Sequence, residues 1–156
     1  MLINFWTTWC TACVGEIPEL IALQKEHVDN LVILGVSLDS VPDDGGDVGG
    51  DGAGQKLDPN NPQATAALLE KIRDKVARTV SARGINYPVL LDEHYQVGGR
   101  FNGGELPTTV IVDAQGNIRR RFLGARSLPV FEAMVNEAGQ PVQVATLPRS
   151  MKNNLE

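Results

Sequence analysis

The sequence predicts an α/β protein built on a mixed central sheet flanked by helices. Three observations carry that expectation. The apolar run Leu2–Trp6 is followed by a helix-periodic stretch and then by the β-rich run Leu31–Leu38, the order of a βαβ unit with a parallel strand pair. A second helix-then-strand alternation occupies residues 61–92. Near the end, residues 107–112 and 118–123 flank Asp113-Ala114-Gln115-Gly116-Asn117, a turn-forming stretch that reads as an antiparallel hairpin.

Taken in order, residues 2–6 form a short buried strand. Cys10 to His27 reads as a helix with Val14, Ile17, Leu20 and Ile21 on one stripe, and Asn30 closes the unit. Pro18 lies inside that helix and is expected to kink it, because proline removes one backbone hydrogen bond. The near-continuous β-rich character of 31–38 suits a strand covered on both faces. Residues 42–62 break the pattern. Gly45, Gly46, Gly49, Gly50, Gly52 and Gly54 are interleaved with Asp43, Asp44, Asp47 and Asp51, and such a stretch buries too little apolar surface to offset its ordering entropy. A flexible surface loop is expected. Its aspartates suit calcium chemically, but neither a complete helix–loop–helix calcium pattern nor a Gly/Asp nonapeptide repeat is present.

Asn61-Pro62 is a helix start, with Asn as N-cap and Pro at the first helical position. Leu68, Leu69, Ile72, Val76 and Val80 mark the apolar face, and Gly84 is a natural stop. Tyr87–Leu91 reads as a short strand ending at Asp92. A weak helical turn is expected around His94 to Phe101. Pro107–Val112 is the next strand, and Ile118–Leu123 returns antiparallel. Ser127 is expected to cap a last helix with Phe131, Met134, Val135 and Ala138 inward, ended by Gly139.

The chain has 156 residues, long enough to bury a core, and a domain over residues 1–140 is expected with a mobile tail over 141–156. Its net charge is −5, against the positive footprint that nucleic-acid binding needs. No apolar run approaches the roughly 18 residues of a membrane span. Met1 runs into an apolar strand without a basic leader, as expected of a chain separated from its natural upstream segment. Leu155-Glu156 is set aside from the fold reading as an expected vector-derived end.

The chemistry is concentrated in Trp9-Cys10-Thr11-Ala12-Cys13. The pair follows a strand and opens a helix, where free N–H groups and about half a positive charge stabilise a thiolate. Cys10, at the opening, is the expected exposed nucleophile. Cys13 lies one turn in, close enough to form a disulfide with it and to resolve a mixed disulfide. C-x-x-C beside a βαβ pattern reads as a thioredoxin-like redox motif. Structural zinc normally takes four ligands, and only His27 and His94 accompany the two cysteines, so neither metal nor cofactor is expected. His27 reads as a surface residue near a helix end, and His94 as a loop residue.

Asn4-Phe5-Trp6-Thr7-Thr8-Trp9-Cys10-Thr11-Ala12-Cys13-Val14-Gly15-Glu16-Ile17-Pro18 resembles the active-site segment of the thioredoxin superfamily. More narrowly, it is similar to the TlpA/ResA-like branch, with its N-F-W-x-x-W-C-x-x-C-x-x-E-x-P pattern. Val36–Asp39, Gly84–Asp92 and Leu106–Gly116 look like that branch's second strand, its inserted helix–strand unit and its cis-proline strand with hairpin. The resemblance spans most of residues 2–138. It implies a cis bond before Pro107, facing the cysteines, with Leu106 and Trp9 contributing to a substrate surface. It gives Glu16 an acid/base role beside Cys13. Asn4 stands where plain thioredoxin has a buried Asp. Trp6 is expected in the core. Ala12 departs from the proline found in many relatives, and residues 42–62 are longer than the branch implies.

The function implied is a thiol–disulfide oxidoreductase that reduces protein disulfides outside the cytoplasm, in cytochrome c maturation or related thiol delivery. It would draw electrons from a membrane-embedded donor and act as a monomer. Disulfide oxidase or isomerase activity is the alternative within the same chemistry. A docking module with an inert cysteine pair is the alternative outside it. A peroxidase would place a lone Cys three residues after Thr. Thr7 holds that spacing to Cys10, but the paired Cys13 and Trp9 fit the oxidoreductase better. The Arg119-Arg120-Arg121 run reads as a charged sheet edge.

Overall fold

The computed structural model describes residues 1–41 and 57–139, and the Gly/Asp-rich expectation for 42–56 and the tail expectation for 141–156 lie outside them. Nine elements follow in order: β1 (Leu2–Trp6), α1 (Thr11–Glu26), β2 (Ile33–Ser37), α2 (Pro62–Arg83), β3 (Val89–Leu91), α3 (Gln96–Phe101), β4 (Thr108–Val112), β5 (Ile118–Leu123) and α4 (Leu128–Ala138). The sheet has the order β3-β2-β1-β4-β5. β1 pairs parallel with β2 and β2 with β3, whereas β1/β4 and β4/β5 are antiparallel. The expected mixed sheet is therefore present, with β1 at its centre.

The alternation along β1 sorts the core into two faces. Leu2 joins Leu20 and Leu23 of α1, Phe131 and Met134 of α4, and Ile33 and Ile111 of the sheet. Trp6, on the same face, packs with Cys13 and Ile17 of α1 and Ile72 and Val76 of α2. Ile3 and Phe5 point the other way, into a cluster with Val36, Val110 and Val112 that Tyr95 and Phe101 cover around α3. Asn4 shares the α1 face with Leu2 and Trp6 and is the polar residue among them.

The helix signals act as their chemistry predicts. The Asn61 side chain accepts the Ala64 N–H at 3.1 Å, and Gly84 adopts φ +63°, a left-handed stop that glycine reaches without steric cost. α1 runs unbroken through Pro18, with Cys10 and His27 as its two caps rather than its end residues. Three strands are shorter than the sequence reading: β2 spans Ile33–Ser37, β3 has three residues, and β4 starts at Thr108.

The start of α4 corrects an expectation. Ser127 holds the N-cap position but makes no side-chain capping bond. The Glu19 carboxylate of α1 accepts the Leu128 N–H at 2.7 Å instead. A negative side chain at a helix N-terminus is favourable whichever element supplies it. This contact ties α4 to α1 and fixes the loop between β5 and α4.

Candidate active site

β1 delivers the chain at Trp6, a turn over Thr8 and Trp9 reverses it, and Cys10 caps α1. Cys10 has extended backbone angles, φ −79° and ψ 106°, and its Sγ accepts the Cys13 N–H at 3.2 Å. The sulfur therefore sits among the free N–H groups of the first turn, where negative charge is stabilised. Cys10 and Cys13 are joined by a disulfide with a Cα–Cα distance of 5.2 Å. Cys13 is buried and Cys10 half-buried, so Cys10 is the sulfur open to attack, though less exposed than the sequence suggested. Trp9 lies exposed beside it, whereas Trp6 is in the core as expected. Trp6 Nε1 and Thr7 Oγ1, on the segment leading to Cys10, are buried without a hydrogen-bond partner.

The turn is anchored by a residue the sequence reading passed over as the end of a strand. Asp39 is fully buried, and its two oxygens accept the Thr8 N–H at 3.2 and 3.0 Å. The same carboxylate accepts the Thr8 hydroxyl, and the Ser37 hydroxyl at 2.7 Å. Asp39→Asn puts an amide donor where only acceptors serve. It should lower stability by about 1–3 kcal/mol, the usual cost of a buried donor left facing a donor. The urea midpoint and the Trp9 fluorescence should both move, and an unchanged midpoint would refute the anchoring role.

Beneath Cys13, Glu16 is buried on the α1 face that meets β1. Asn4 Nδ2 donates to its Oε1 at 2.7 Å and also to Thr109 Oγ1 at 3.2 Å. The Arg126 backbone N–H donates to Oε2 at 2.9 Å. Burial raises the Glu16 pKa above the ordinary carboxylate value, and these donors together with the Arg126 charge pull against that rise. The buried Tyr87 phenol is also raised, first by desolvation and then by the charge of Glu16. Glu16 is thus held by donors from β1 and from the loop after β5, and burial favours its protonated form.

This has a pH signature. A raised native pKa means that the folded chain holds more protons than the unfolded chain above the ordinary carboxylate range. Stability from Glu16 is therefore present below its unfolded value, near 4.5, and lost as pH rises through the raised one. Glu16→Gln stays neutral. Its Oε1 can keep the Arg126 N–H, and its amide can donate to a flipped Asn4. Measured by urea unfolding, the variant's stability relative to the parent chain should rise as pH climbs above that range. A pH-independent difference would show that Glu16 does not titrate as described.

The second wall is the Leu106–Pro107 segment, whose peptide bond is cis. The last registered β1/β4 pair is Phe5↔Thr108, so Pro107 lies beside the end of β1, where the chain turns toward Cys10. Leu106 and Cys10 pack against the same cluster of Trp6, Cys13, Ile17, Ile72 and Val76. The Gly124 N–H donates to the Pro107 carbonyl at 2.8 Å. Cys10, Cys13 and Leu106 are thereby gathered at one end of the sheet, with Trp9 next to Cys10, Glu16 below Cys13, and Pro107 following Leu106.

Elsewhere, His94 is exposed just before α3, and His27 is the half-buried C-cap of α1. Glu26, His27 and Glu132 bring three potential ligand atoms within 4.8 Å of one another at the far end of α1 from the cysteines. The Glu132 carboxyl there is raised above its ordinary value, first by its hydrogen bond with Glu26.

The sequence matches the AhpC/TSA family over residues 1–121. The chain belongs to the AhpC/TSA family. Among curated relatives of similar sequence, the thioredoxin-like protein YneN of Bacillus subtilis is 27% identical over 124 residues, covering 80% of this chain and 56% of that protein. The thiol-disulfide oxidoreductase ResA of Geobacillus kaustophilus is 27% identical over 127 residues, covering 80% of this chain and 54% of its own length. The chain thus spans about half the length of these relatives. Among solved structures, a secreted Mycobacterium tuberculosis disulfide oxidoreductase homologous to Escherichia coli DsbE superposes with a TM-score of 0.60 at 18% identity, covering 87% of this chain and 79% of that one. This AhpC/TSA chain has the α/β thioredoxin-like fold, a five-stranded mixed sheet flanked by helices. No helix among the described residues is long and apolar enough to cross a membrane.

Proposed function

We propose that the protein is a thiol–disulfide oxidoreductase that reduces disulfides in extracytoplasmic proteins. The observation that carries this is the pairing of a half-buried Cys10 sulfur at a helix N-terminus with a buried Cys13 above the buried acid Glu16. In the reduced protein the Cys10 thiolate attacks one sulfur of a substrate disulfide. A Cys10–substrate bond forms, the substrate S–S bond breaks, and the leaving thiolate takes a proton. Cys13 then loses its proton to Glu16 and attacks Cys10 Sγ, expelling the second substrate thiolate. The substrate gains two electrons and becomes a dithiol, and the protein becomes the Cys10–Cys13 disulfide. A membrane-embedded dithiol donor reverses that oxidation for the next turnover.

Trp9, Leu106 and Pro107 receive the substrate backbone in extended form beside Cys10, as in strand addition. The extracytoplasmic setting, in cytochrome c maturation or related thiol delivery, draws on the resemblance to the TlpA/ResA-like branch and on the secreted relative. The protein acts as a monomer without nucleic acid.

The test is the reduction potential of the cysteine pair, by equilibration with a dithiol redox buffer followed by alkylation. A value near or below about −250 mV supports a reductase. A value of about −180 to −120 mV assigns it to isomerases or oxidants and overturns the direction. A pair that never cycles leaves a docking module.

A further inference from the structure

We propose that Arg126 reads the charge of the polypeptide docked beside Cys10, so that the protein favours disulfides flanked by acidic side chains. This rests on the oxidoreductase reading and names the substrate class of the same site. Arg126 sits in the loop between β5 and α4, and that loop is fixed at three points. The Gly124 N–H is on the Pro107 carbonyl at 2.8 Å, the Arg126 N–H is on Glu16 at 2.9 Å, and the Leu128 N–H is on Glu19 at 2.7 Å. Gly124 has φ +87°, and Arg126 Nη1 would lie 3.5 Å from a Cβ built there, so the side chain folds back over the residue bonded to Pro107. The guanidinium is therefore held next to the segment that receives substrate.

Its hydrogen bonds leave its charge available. Nη1 donates to the Ala125 carbonyl at 3.0 Å and Nη2 to the Leu123 carbonyl at 2.9 Å. Two neutral carbonyls orient the fork without neutralising it, and an arginine has five N–H donors to share. Glu16 takes the backbone N–H of Arg126, not the guanidinium, and the two side chains interact only through their charges. By contrast, Arg73, Arg119, Arg120 and Arg121 each meet a carboxylate at Glu93, Asp113, Glu137 and Glu105. Glu105, the acid next to the cis bond in sequence, is drawn toward Arg121 at 3.5 Å. In a chain of net charge −5, a positive group not closed into an ion pair at the substrate wall is a selective feature.

The experiment compares kcat/KM for two peptides carrying the same internal disulfide, flanked by Glu in one and by Lys in the other. The parent protein should prefer the acidic peptide by about three- to five-fold, the scale of one solvent-accessible charge pair. About 0.5 M salt should erase the preference. Arg126→Glu should reverse it, and Arg126→Lys should retain it, which separates lost charge from lost fold. Equal rates in the parent protein, or an acidic preference that survives Arg126→Glu, would overturn the proposal. Neutral 2-hydroxyethyl disulfide serves as the third substrate. If the reduced protein turns it over without acidic preference on the peptides, only the role of Arg126 fails. If it is not reduced at all, the oxidoreductase reading fails and this inference with it.

Discussion

Cys10→Ser should lower disulfide reduction by about 10³-fold or more, because it removes the attacking sulfur rather than a group that assists it. Cys13→Ser should be nearly as inactive for a different reason. Attack by Cys10 still occurs, but nothing resolves the product, and a covalent adduct with the substrate should accumulate on a non-reducing gel. The asymmetry follows from burial: Cys13 is closed off by Trp6, Ile17, Ile72 and Val76, and only Cys10 reaches the surface. Adduct formation by Cys10→Ser in place of Cys13→Ser would reverse the assignment.

The largest effect on stability is expected from Phe131→Ala. Phe131 is fully buried and joins α4 to Leu2, Leu20, Leu23 and Ile111. Removing the ring loses its transfer free energy and leaves a cavity between two helices and the sheet, at a cost of about 3–5 kcal/mol. With a urea dependence of about 1–3 kcal/mol per molar, the midpoint should fall by at least about 1 M. A loss below about 1 kcal/mol would mean that α4 is not held by this contact. Because α4 also anchors the loop whose Arg126 N–H meets Glu16, the pH signature of Glu16 should weaken in the same variant.

Much of the fold was legible because its signals are local. The apolar run 2–6, the Asn61-Pro62 start, the Gly84 stop and the Asp113–Asn117 turn each act within a few residues. The cysteine pair was legible for the same reason, since its spacing and its place at a strand-to-helix junction are both sequence features. The missed parts depend on partners brought together by folding. Asp39 accepts from Thr8, 31 positions away, and Glu19 caps α4 across 109 positions. Asp92 read as the end of a strand, yet its carboxylate accepts the Gln96 N–H at 2.9 Å and the Gly98 N–H at 2.6 Å and so starts α3. A carboxylate announces that it needs donors, but not which backbone will supply them. Glu16 was singled out by pattern, whereas its contacts to Asn4 and Arg126 emerged only from the packing of β1 and of the β5–α4 loop against α1.

The central position of β1 sets an order of assembly. Its parallel neighbour β2 and the intervening α1 are complete by Ser37, but its antiparallel neighbour pairs Leu2 with Ile111. One edge of β1 stays open until β4 has been synthesised, and non-local pairings of this kind are the slow ones to form. The Met1 nitrogen donates to the Val112 carbonyl at 2.7 Å and extends that seam past Leu2. Synthesis that stalls before β4 would leave an unpaired apolar strand ready to pair with another nascent chain. The cysteines beside it would already be in place, with the proline wall that faces them still unmade.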